Sequence, residues 1–336
     1  MNRREFLHLC LGGMVGTALT ACSRQRKKMI MNTRRWDGDK RIPVILDTDI
    51  GSDIDDTWAL VMMLKSPELD VKLIATDTGD TTYRAKIVAR LLEIAGRTDV
   101  PIGIGPAVVK APSSQAPWVE GYSLSSYPGI VQEDGVGAIV DTIMSSPEPV
   151  TLLCIGPVPN IRAALEREPR IAERARFVGM HGSIRRGYGG STEIAAEYNV
   201  VRDPRACQVA FAAPWDVIIT PIDTCGIITL EGEKYRAVHD CDDPLVQAVI
   251  ENYRIWTGHS QWARGFDPET QSSVLFDTVA IYLAFSEEYL VMESLGIRVT
   301  DEGYTHIDDS MKPIRCATGW ENLPAFKEFL VQRLLS

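Results

Sequence analysis

The sequence predicts an α/β protein in which a mainly parallel central sheet is flanked by helices. Two observations carry this prediction. Short apolar runs alternate with longer amphipathic stretches along most of the chain, which is typical of consecutive βαβ units. A polar or conformationally special residue also follows each apolar run, at the edge where open α/β sheets bind ligands.

The individual elements follow from this alternation, because runs of about five apolar residues suit strands and longer amphipathic stretches suit helices. The predicted strands are residues 43–47, 71–76, 150–155, 176–180 and 217–222. The predicted helices are residues 56–65, 83–96, 136–145, 160–168, 203–213 and 243–256. The residues that follow the strands are Asp47 and Asp49, Asp77 and Asp80, Gly156, His181 and Asp223. Because the carboxyl ends of parallel strands lie at one edge of the sheet, these groups are expected to converge on one ligand-binding crevice.

The beginning of the chain resembles a bacterial export signal. Residues 1–21 combine two early arginines with an apolar stretch and small residues before Cys22, as signal peptides do. "NRREFL" resembles a twin-arginine signal and "LTAC" resembles a lipobox, which implies lipidation of Cys22. We therefore expect an export signal in 1–21, a lipidated basic tether in 22–41 and a catalytic domain in 42–336. A plain cleaved signal is the alternative.

This organisation implies an exported protein, anchored by lipid to a bacterial membrane and facing the periplasm or the cell surface. Which membrane holds the anchor stays open. The formal net charge of −10 argues against binding a nucleic-acid backbone. None of the seven cysteines forms a CxxC pair, so neither a disulfide framework nor a zinc site is supported.

The densest polar feature is "DTDIGSDIDD", which places five aspartates in the ten residues 47–56. Mutual repulsion and desolvation oppose such a cluster unless a cation offsets its charge. Some of these aspartates are helix caps, since Asp55 or Asp56 precedes the helix that starts near Thr57. The remaining oxygen ligands favour calcium or magnesium over zinc. The spacing is not that of an EF-hand.

"ILDTDIGSDIDDTWAL" resembles the N-terminal signature of the nucleoside hydrolases of the inosine–uridine-preferring type. Four further segments follow in the order that this family shows: "IGPVPNIRAAL", "FVGMHGS", "GGSTEIAAEYNVVRDPRAC" and "LFDTVAIYL". The resemblance runs from about residue 43 to the C-terminus. It implies a Rossmann-like nucleoside hydrolase fold, calcium-dependent cleavage of the N-glycosidic bond of ribonucleosides, and assembly as a dimer or tetramer.

Carried over by position, the resemblance also implies roles for individual residues. The implied calcium ligands are the carboxylates of Asp49, Asp56 and Asp277 and the backbone carbonyl of Ile155. Asp49 would also act as the general base, taking a proton from a calcium-bound water that attacks the ribose.

The implied substrate-binding residues surround the ribose. Asp55 and Asn199 match positions that hold the 2′- and 3′-hydroxyls, and Glu197 and Ser191 match positions near the 5′-hydroxyl. Asp80 and Met180 complete the set.

The chain departs from the family pattern at several of these positions. The first loop carries two extra residues, so Asp53 has no counterpart; it is either a supporting carboxylate or a solvated turn residue. Asp80 and Ser191 stand where the best-known members have asparagine. Phe276 stands where purine-cleaving members have a histidine that helps the base to leave, and phenylalanine has no proton to donate.

Other residues are therefore candidates for the leaving-group side. In "NYRIWTGHSQW", Tyr253, Trp256 and Trp262 can stack on a planar leaving group, and His259 can protonate it. The alternatives are that these aromatic residues pack in the core and that His259 is a surface histidine. His181, which follows a predicted strand, is a second candidate for the acid.

Two other functions remain open at this point. "ILDTD" after a strand also fits the DxD nucleophile loop of a haloacid dehalogenase-like magnesium phosphohydrolase, although no lysine has the required setting. The second is a surface lipoprotein that binds a riboside or sugar without turnover, which Phe276 favours.

Overall fold

The computed structural model describes residue 38 and residues 40–108 and 110–336. The strands are β1 Ile42–Thr48, β2 Leu69–Thr76, β3 Ile102–Ile104, β4 Val131–Gln132, β5 Val150–Cys154, β6 Ala175–Met180, β7 Val217–Thr220, β8 Leu290–Val299, β9 Thr305–Ile307 and β10 Pro313–Trp320. The helices are α1 Asp55–Leu64, α2 Thr81–Ile94, α3 Gly135–Ser145, α4 Pro159–Arg167, α5 Tyr198–Arg202, α6 Pro204–Ala212, α7 Ile222–Cys225, α8 Gly232–His239, α9 Pro244–His259, α10 Thr278–Leu283 and α11 Leu323–Leu335.

These strands form one sheet in the order β4-β3-β2-β1-β5-β6-β7-β10-β8-β9. Neighbouring strands are parallel from β4 through β10, and β8 and β9 join antiparallel at one edge. The prediction of a mainly parallel α/β sheet is confirmed. All five predicted strands and all six predicted helices are present, whereas β3, β4 and the C-terminal strands β8, β9 and β10 were not predicted.

The sheet is covered on both faces, as its apolar strands require. In β1, Val44 and Leu46 contribute to one core, while Ile45 between them contributes to the other. Helices α1, α2, α9, α10 and α11 supply buried residues to the first core, and α3, α4 and α6 supply them to the second.

The strand order reverses at β1, which pairs with β2 on one side and β5 on the other. Ligands of open α/β sheets bind at such switch points, outside the carboxyl ends of the strands. The aspartate-rich loop leaves the carboxyl end of β1, and Ile155 follows β5 directly. The fold therefore brings two distant parts of the sequence to one place.

The predicted signal in 1–21, the lipidation site Cys22 and nearly all of the predicted tether in 22–41 lie outside the described residues. Among the helices that are described, none is long and apolar enough to cross a membrane.

Candidate active site

The loop after β1 is shaped by short-range hydrogen bonds. The Thr48 hydroxyl accepts from the amide of Ile50 (3.1 Å) and donates to the carboxylate of Asp56. Gly51 has φ +103°, and a Cβ at this position would lie 2.7 Å from the Tyr83 hydroxyl oxygen. A residue with a side chain is therefore excluded on both steric and conformational grounds, and the loop can turn back toward α1.

Arg84 of α2 holds this loop from behind and is fully buried. Its guanidinium donates to the carbonyls of Asp49, Ile50 (2.6 Å) and Thr78 (2.6 Å). It also donates to the Ser52 hydroxyl (2.8 Å) and lies 3.8 Å from the Asp49 carboxylate. A rigid fork of donors therefore fixes the aspartate loop. No motif in the sequence singled out Arg84.

Three buried aspartates cluster here, and buried Asp49 lines the same cavity as they do. Carboxylate oxygens of Asp55, Asp56 and Asp277 all lie within 4.8 Å of one another. Burial, and after it repulsion from neighbouring aspartates, raises the pKa of all three well above the usual range. Oδ2 of Asp49 is buried and makes no hydrogen bond to any described residue.

Such a donor set fits a hard divalent cation, whose charge would offset the repulsion and satisfy the unpaired oxygen. The closest trio includes Asp55, whereas the resemblance assigned Asp49 to the metal.

Asn199 of α5 ties the ends of β5 and β6 together. Its side-chain amide donates to the carbonyls of Ile155 (3.1 Å) and Met180 (3.0 Å). The amide of Ile155 in turn donates to the carbonyl of Asp47 (2.9 Å). The carbonyl oxygen of Ile155 is thus held at the sheet edge, in a cavity that both Ile155 and Met180 line.

Glu197 is held by backbone amides at the start of α5. Its carboxylate accepts from the amides of Asn199 (2.8 Å), Gly182 (2.9 Å) and Val200 (3.2 Å). Burial raises the pKa of Glu197 to about 7, although these hydrogen bonds act in the opposite direction. The carboxylate is therefore fixed in position where it faces the cavity.

The cavity has a volume of about 450 Å³ and two kinds of lining. The polar lining, called the floor below, consists of Asp49, Asp55, Asp56, Ile155, Glu197, Asn199 and Asp277. The aromatic lining, called the aromatic wall, consists of Tyr188, Tyr198, Trp256, Trp262, Phe266 and Phe276. The Tyr198 and Trp262 rings meet edge to face at 5.3 Å, and those of Tyr188 and Phe276 at 6.1 Å. This volume and lining suit a small molecule with a polyhydroxylated part and a planar part.

Residues 44–328 match the family model described as "Inosine-uridine preferring nucleoside hydrolase". The chain belongs to this family. The recognition from sequence motifs is thereby confirmed, and so is the assignment as an N-glycosyl hydrolase. The nucleoside hydrolases are metal-dependent, which agrees with the acidic cluster on the floor of the cavity.

Curated relatives and solved structures are consistent with this membership. The chain is 31% identical over 237 residues to the pyrimidine-specific ribonucleoside hydrolase RihA of Salmonella arizonae, covering 66% of this chain and 74% of that protein. The enzyme of the same name from Escherichia coli O1:K1 is 30% identical over equal shares.

In fold, the chain is similar to the plant nucleoside hydrolase PpNRh1, with a TM-score of 0.74 and 21% identity over 88% of this chain and 100% of that chain. It is also similar to a purine-preferring ribonucleoside hydrolase from Gardnerella vaginalis, with a TM-score of 0.69 and 20% identity over 87% of this chain and 98% of that chain.

Two predicted substrate-binding residues do not reach the cavity of this nucleoside hydrolase. Asp80 is exposed and caps α2, where its carboxylate accepts from the Tyr83 amide at 2.9 Å. Ser191 is also exposed, and its hydroxyl accepts from the Glu193 amide at 3.1 Å. Because both side chains are used in local turns, neither lines the cavity.

Neither candidate histidine lines the cavity. His181 is fully buried, with its ring 5.5 Å from that of Phe177 and Nε2 3.1 Å from the Gly156 carbonyl. Burial lowers the pKa of His181 to about 4, which keeps the ring neutral at neutral pH. His259 is exposed, with Nδ1 2.8 Å from the carbonyl of Ile255.

The aromatic candidates divide into two groups. Trp256 and Trp262 line the cavity, whereas Tyr253 does not. Tyr253 is fully buried, and its ring meets that of Trp58 edge to face at 6.5 Å. The core-packing alternative therefore holds for Tyr253, because α9 turns that side chain toward α1.

Asp53, for which two roles were open, and Tyr188, which no motif singled out, both line the cavity. Asp53 is half-buried, and its Oδ1 accepts from the Ile54 amide at 2.6 Å. The Tyr188 hydroxyl accepts from the Tyr198 amide at 3.0 Å. The two-residue insertion in the first loop was a sequence signal for Asp53. Tyr188 had no sequence signal beyond its position among glycines.

The phosphohydrolase alternative does not fit this geometry. Asp47, the first aspartate of the DxD sequence, is fully buried and accepts from the Asn160 side-chain amide at 2.6 Å. It does not line the cavity, so it is out of reach of a substrate. The binding-protein alternative gives way to membership in an enzyme family.

Proposed function

We propose that this protein hydrolyses the N-glycosidic bond of ribonucleosides with a bound calcium ion, by attack of water at the anomeric carbon. The observation that carries the proposal is the acidic floor of the cavity, where Asp55, Asp56 and Asp277 cluster and where Asp49, which lines the same cavity, keeps an unpaired Oδ2. Ribose and the free base are the products.

Calcium is favoured because every donor offered at the floor of the cavity is an oxygen. The carboxylates of Asp49, Asp56 and Asp277 and the carbonyl of Ile155 would hold it, and such hard ligands suit calcium better than zinc. When bound, a divalent cation lowers the pKa of water and stabilises developing negative charge.

Asp49 is the proposed general base. It lines the cavity, and Arg84 fixes its main chain while the carboxylate keeps one oxygen without a hydrogen bond to any described residue. That oxygen can accept the proton of the attacking water. Burial raises the pKa of Asp49, and Arg84, 3.8 Å from the carboxylate, opposes this shift by stabilising the ionised form that a base requires.

The ribose is proposed to lie between the carboxylates and α5. Asp55, Glu197 and Asn199 all belong to the floor of the cavity, and the amides around Glu197 prevent its rotation. Acceptors fixed in this way suit sugar hydroxyls, which each donate one hydrogen bond. The planar leaving group would then extend toward the aromatic rings.

The test is release of reducing sugar from uridine, cytidine, inosine and p-nitrophenyl riboside. We expect turnover that is lost after chelation and restored by calcium in preference to magnesium or zinc. Failure to release ribose from any of these substrates in the presence of calcium would refute the proposal.

We further propose that the protein is exported, lipid-anchored at Cys22 and assembled as a homodimer or homotetramer. The supporting features are the lipobox-like "LTAC", the twin-arginine-like "NRREFL" and the common assembly of related enzymes. Cys22→Ala should move the protein from the membrane fraction to the soluble fraction, because anchoring depends on the buried acyl chains. A wild-type protein found wholly in the soluble fraction would contradict the anchor.

A further inference from the structure

The charge of the cavity is one-sided. Six carboxylates line it, and no lysine, arginine or histidine does so among the described residues. These carboxylates belong to Asp49, Asp53, Asp55, Asp56, Glu197 and Asp277. A lining with acidic side chains and no basic ones interacts more favourably with a positively charged ligand than with a neutral one.

The cavity also offers no efficient acid to a departing base. The phenols of Tyr188 and Tyr198 are the aromatic hydroxyls that line it. Burial raises the pKa of Tyr198 to about 12 and raises that of Tyr188 further. Both phenols therefore hold their protons too tightly for effective general-acid catalysis near neutral pH. Phe276, which directly precedes Asp277 in the sequence, lines the cavity and has no proton to donate.

Asp53 stands beside the aromatic wall. The neighbouring carbonyl of Ser52 accepts from the indole N–H of Trp256 at 3.2 Å, which ties this part of the loop to α9. The Gln115 side-chain amide donates to the carbonyl of Asp53 at 3.0 Å. The Asp53 carboxylate lines the same cavity as the half-buried rings of Trp262 and Phe266. A cavity lined by both a carboxylate and aromatic rings is a favourable setting for a flat organic cation, through Coulomb attraction and cation–π contacts.

We propose that the preferred substrates are ribosides whose glycosidic nitrogen is already positively charged, of the N-ribosylpyridinium class. This inference rests on the proposed ribonucleoside hydrolysis and adds its substrate class. The water oxygen bonds to C1′ and releases a proton to Asp49, while the C1′–N bond breaks. The electron pair of that bond passes to the ring nitrogen, which leaves as neutral pyridine. The leaving group therefore needs no proton.

The test compares kcat/KM for nicotinamide riboside, which has a cationic leaving group, with uridine and with p-nitrophenyl riboside. The nitrophenyl compound is neutral and also leaves without a proton, so it separates charge from leaving-group quality. We expect nicotinamide riboside to exceed uridine by about a hundredfold or more, the range of a missing general acid. A kcat/KM for uridine equal to or above that for nicotinamide riboside would overturn the inference.

The role of charge is tested with Asp53→Asn. We expect the ratio of kcat/KM for nicotinamide riboside to that for p-nitrophenyl riboside to fall about three- to tenfold. Glu193→Gln removes the same charge from an exposed position outside the cavity and should keep the ratio. An unchanged ratio in Asp53→Asn would overturn the inference.

Ionic strength gives a second measurement that needs no variant. Salt should raise KM for the cationic riboside more than for the nitrophenyl riboside, because screening weakens attraction between charges. An equal response would overturn the inference. If ribosides of all three kinds resist cleavage, the proposed function itself fails, whereas turnover without a preference for the cation removes only the substrate class.

Discussion

The floor of the cavity and its aromatic wall are built in different ways. On the floor, Arg84 donates to the carbonyl of Asp49 and Thr48 donates to the carboxylate of Asp56. Asn199 is fixed by donating to the carbonyls at the strand ends. On the wall, Trp262, Phe266 and Phe276 are held by packing, in segments outside the strands. Groups that are fixed by directed bonds suit chemistry that needs geometry, and packed rings suit recognition by shape.

This contrast separates two requirements of catalysis. Every substrate of such an enzyme carries a ribose, and the same cation serves each of them. The residues that bind the ribose and the cation therefore benefit from the rigidity of the strand ends. The leaving group varies between substrates, and loops and helix ends tolerate substitution. Substitutions on the floor should therefore affect turnover of every riboside. Substitutions on the aromatic wall should change which leaving groups the enzyme prefers.

The largest effect is expected for Asp49→Ala. Removing the base should lower kcat at least a thousandfold, about the range for a general base together with damage to the cation site. The loss should be equal for all ribosides, measured as ribose release under saturating substrate. Asp141→Ala, which removes an exposed carboxylate from α3, is the matched control. Near-normal turnover in Asp49→Ala would contradict the assignment.

Arg84→Lys tests whether the floor depends on its supporting hydrogen bonds. Lysine keeps the charge but loses the planar fork, so we expect calcium affinity and kcat to fall roughly 10- to 100-fold. Calcium titration calorimetry and steady-state kinetics measure the two effects. Arg90→Lys changes a guanidinium over the Trp118 ring at 4.2 Å, away from the cavity, and should retain both. Unaltered calcium affinity in Arg84→Lys would show that the aspartate loop is rigid without the guanidinium of Arg84.

Trp262→Ala probes the wall. Loss of the ring should raise KM about tenfold for ribosides with aromatic leaving groups, because stacking contributes about 1 kcal/mol beyond buried area. The value of kcat should change less than KM. Tyr304→Ala removes an exposed ring that does not line the cavity. A fall in kcat with constant KM would place Trp262 among the catalytic groups instead.

His181 tests whether a residue near the floor acts through packing alone. Its pKa is lowered to about 4 by burial, so the unfolded chain binds a proton below about pH 6.5 and the folded chain does not. Stability therefore falls as pH drops, by about 2 kcal/mol from this group at about pH 5.

Urea unfolding of wild type and His181→Leu at about pH 7 and about pH 5 isolates this contribution by difference. We expect the variant to lose less stability on acidification. Equal losses would show that His181 does not remain neutral in the folded chain.

The smallest effect is expected for Asp80→Ala. Loss of the cap on α2 should lower the free energy of unfolding by about 1 kcal/mol, with kcat/KM unchanged within about twofold. Asp80→Asn keeps a capping acceptor and should recover most of the stability. A large rise in KM for either variant would instead support a role for Asp80 in binding the ribose.

Sequence periodicity was sufficient for the central strands and their helices, because both faces of those strands are buried. It failed for β8, in which buried and half-exposed residues do not alternate regularly, as happens at an antiparallel edge. Motif positions led to the correct end of the sheet for the aspartates. Asp80, Ser191 and His259 do not line the cavity, since a position in a motif does not say which way a turn points its side chain.

Arg84 and Tyr188 could not have been found in this way. A buried arginine in an amphipathic helix looks like a surface arginine, and only the folded loop shows its four acceptors. Tyr188 reaches the cavity through a turn with Gly189 at φ +65° and Gly190 at φ +78°. Such backbone geometry has no periodic signature.

The carbonyl of Ile155 has a consequence for genetics. Its side chain is buried in the core, while the residue lines the cavity and its oxygen accepts from Asn199 at 3.1 Å. Every amino acid carries the same oxygen, so a saturation mutagenesis library would score position 155 by how well each side chain packs. Deep mutational scanning would therefore record an ordinary core residue there. A substitution can alter the surroundings of this oxygen at Asn199, because replacing Asn199 would remove the hydrogen bond that the Ile155 oxygen accepts.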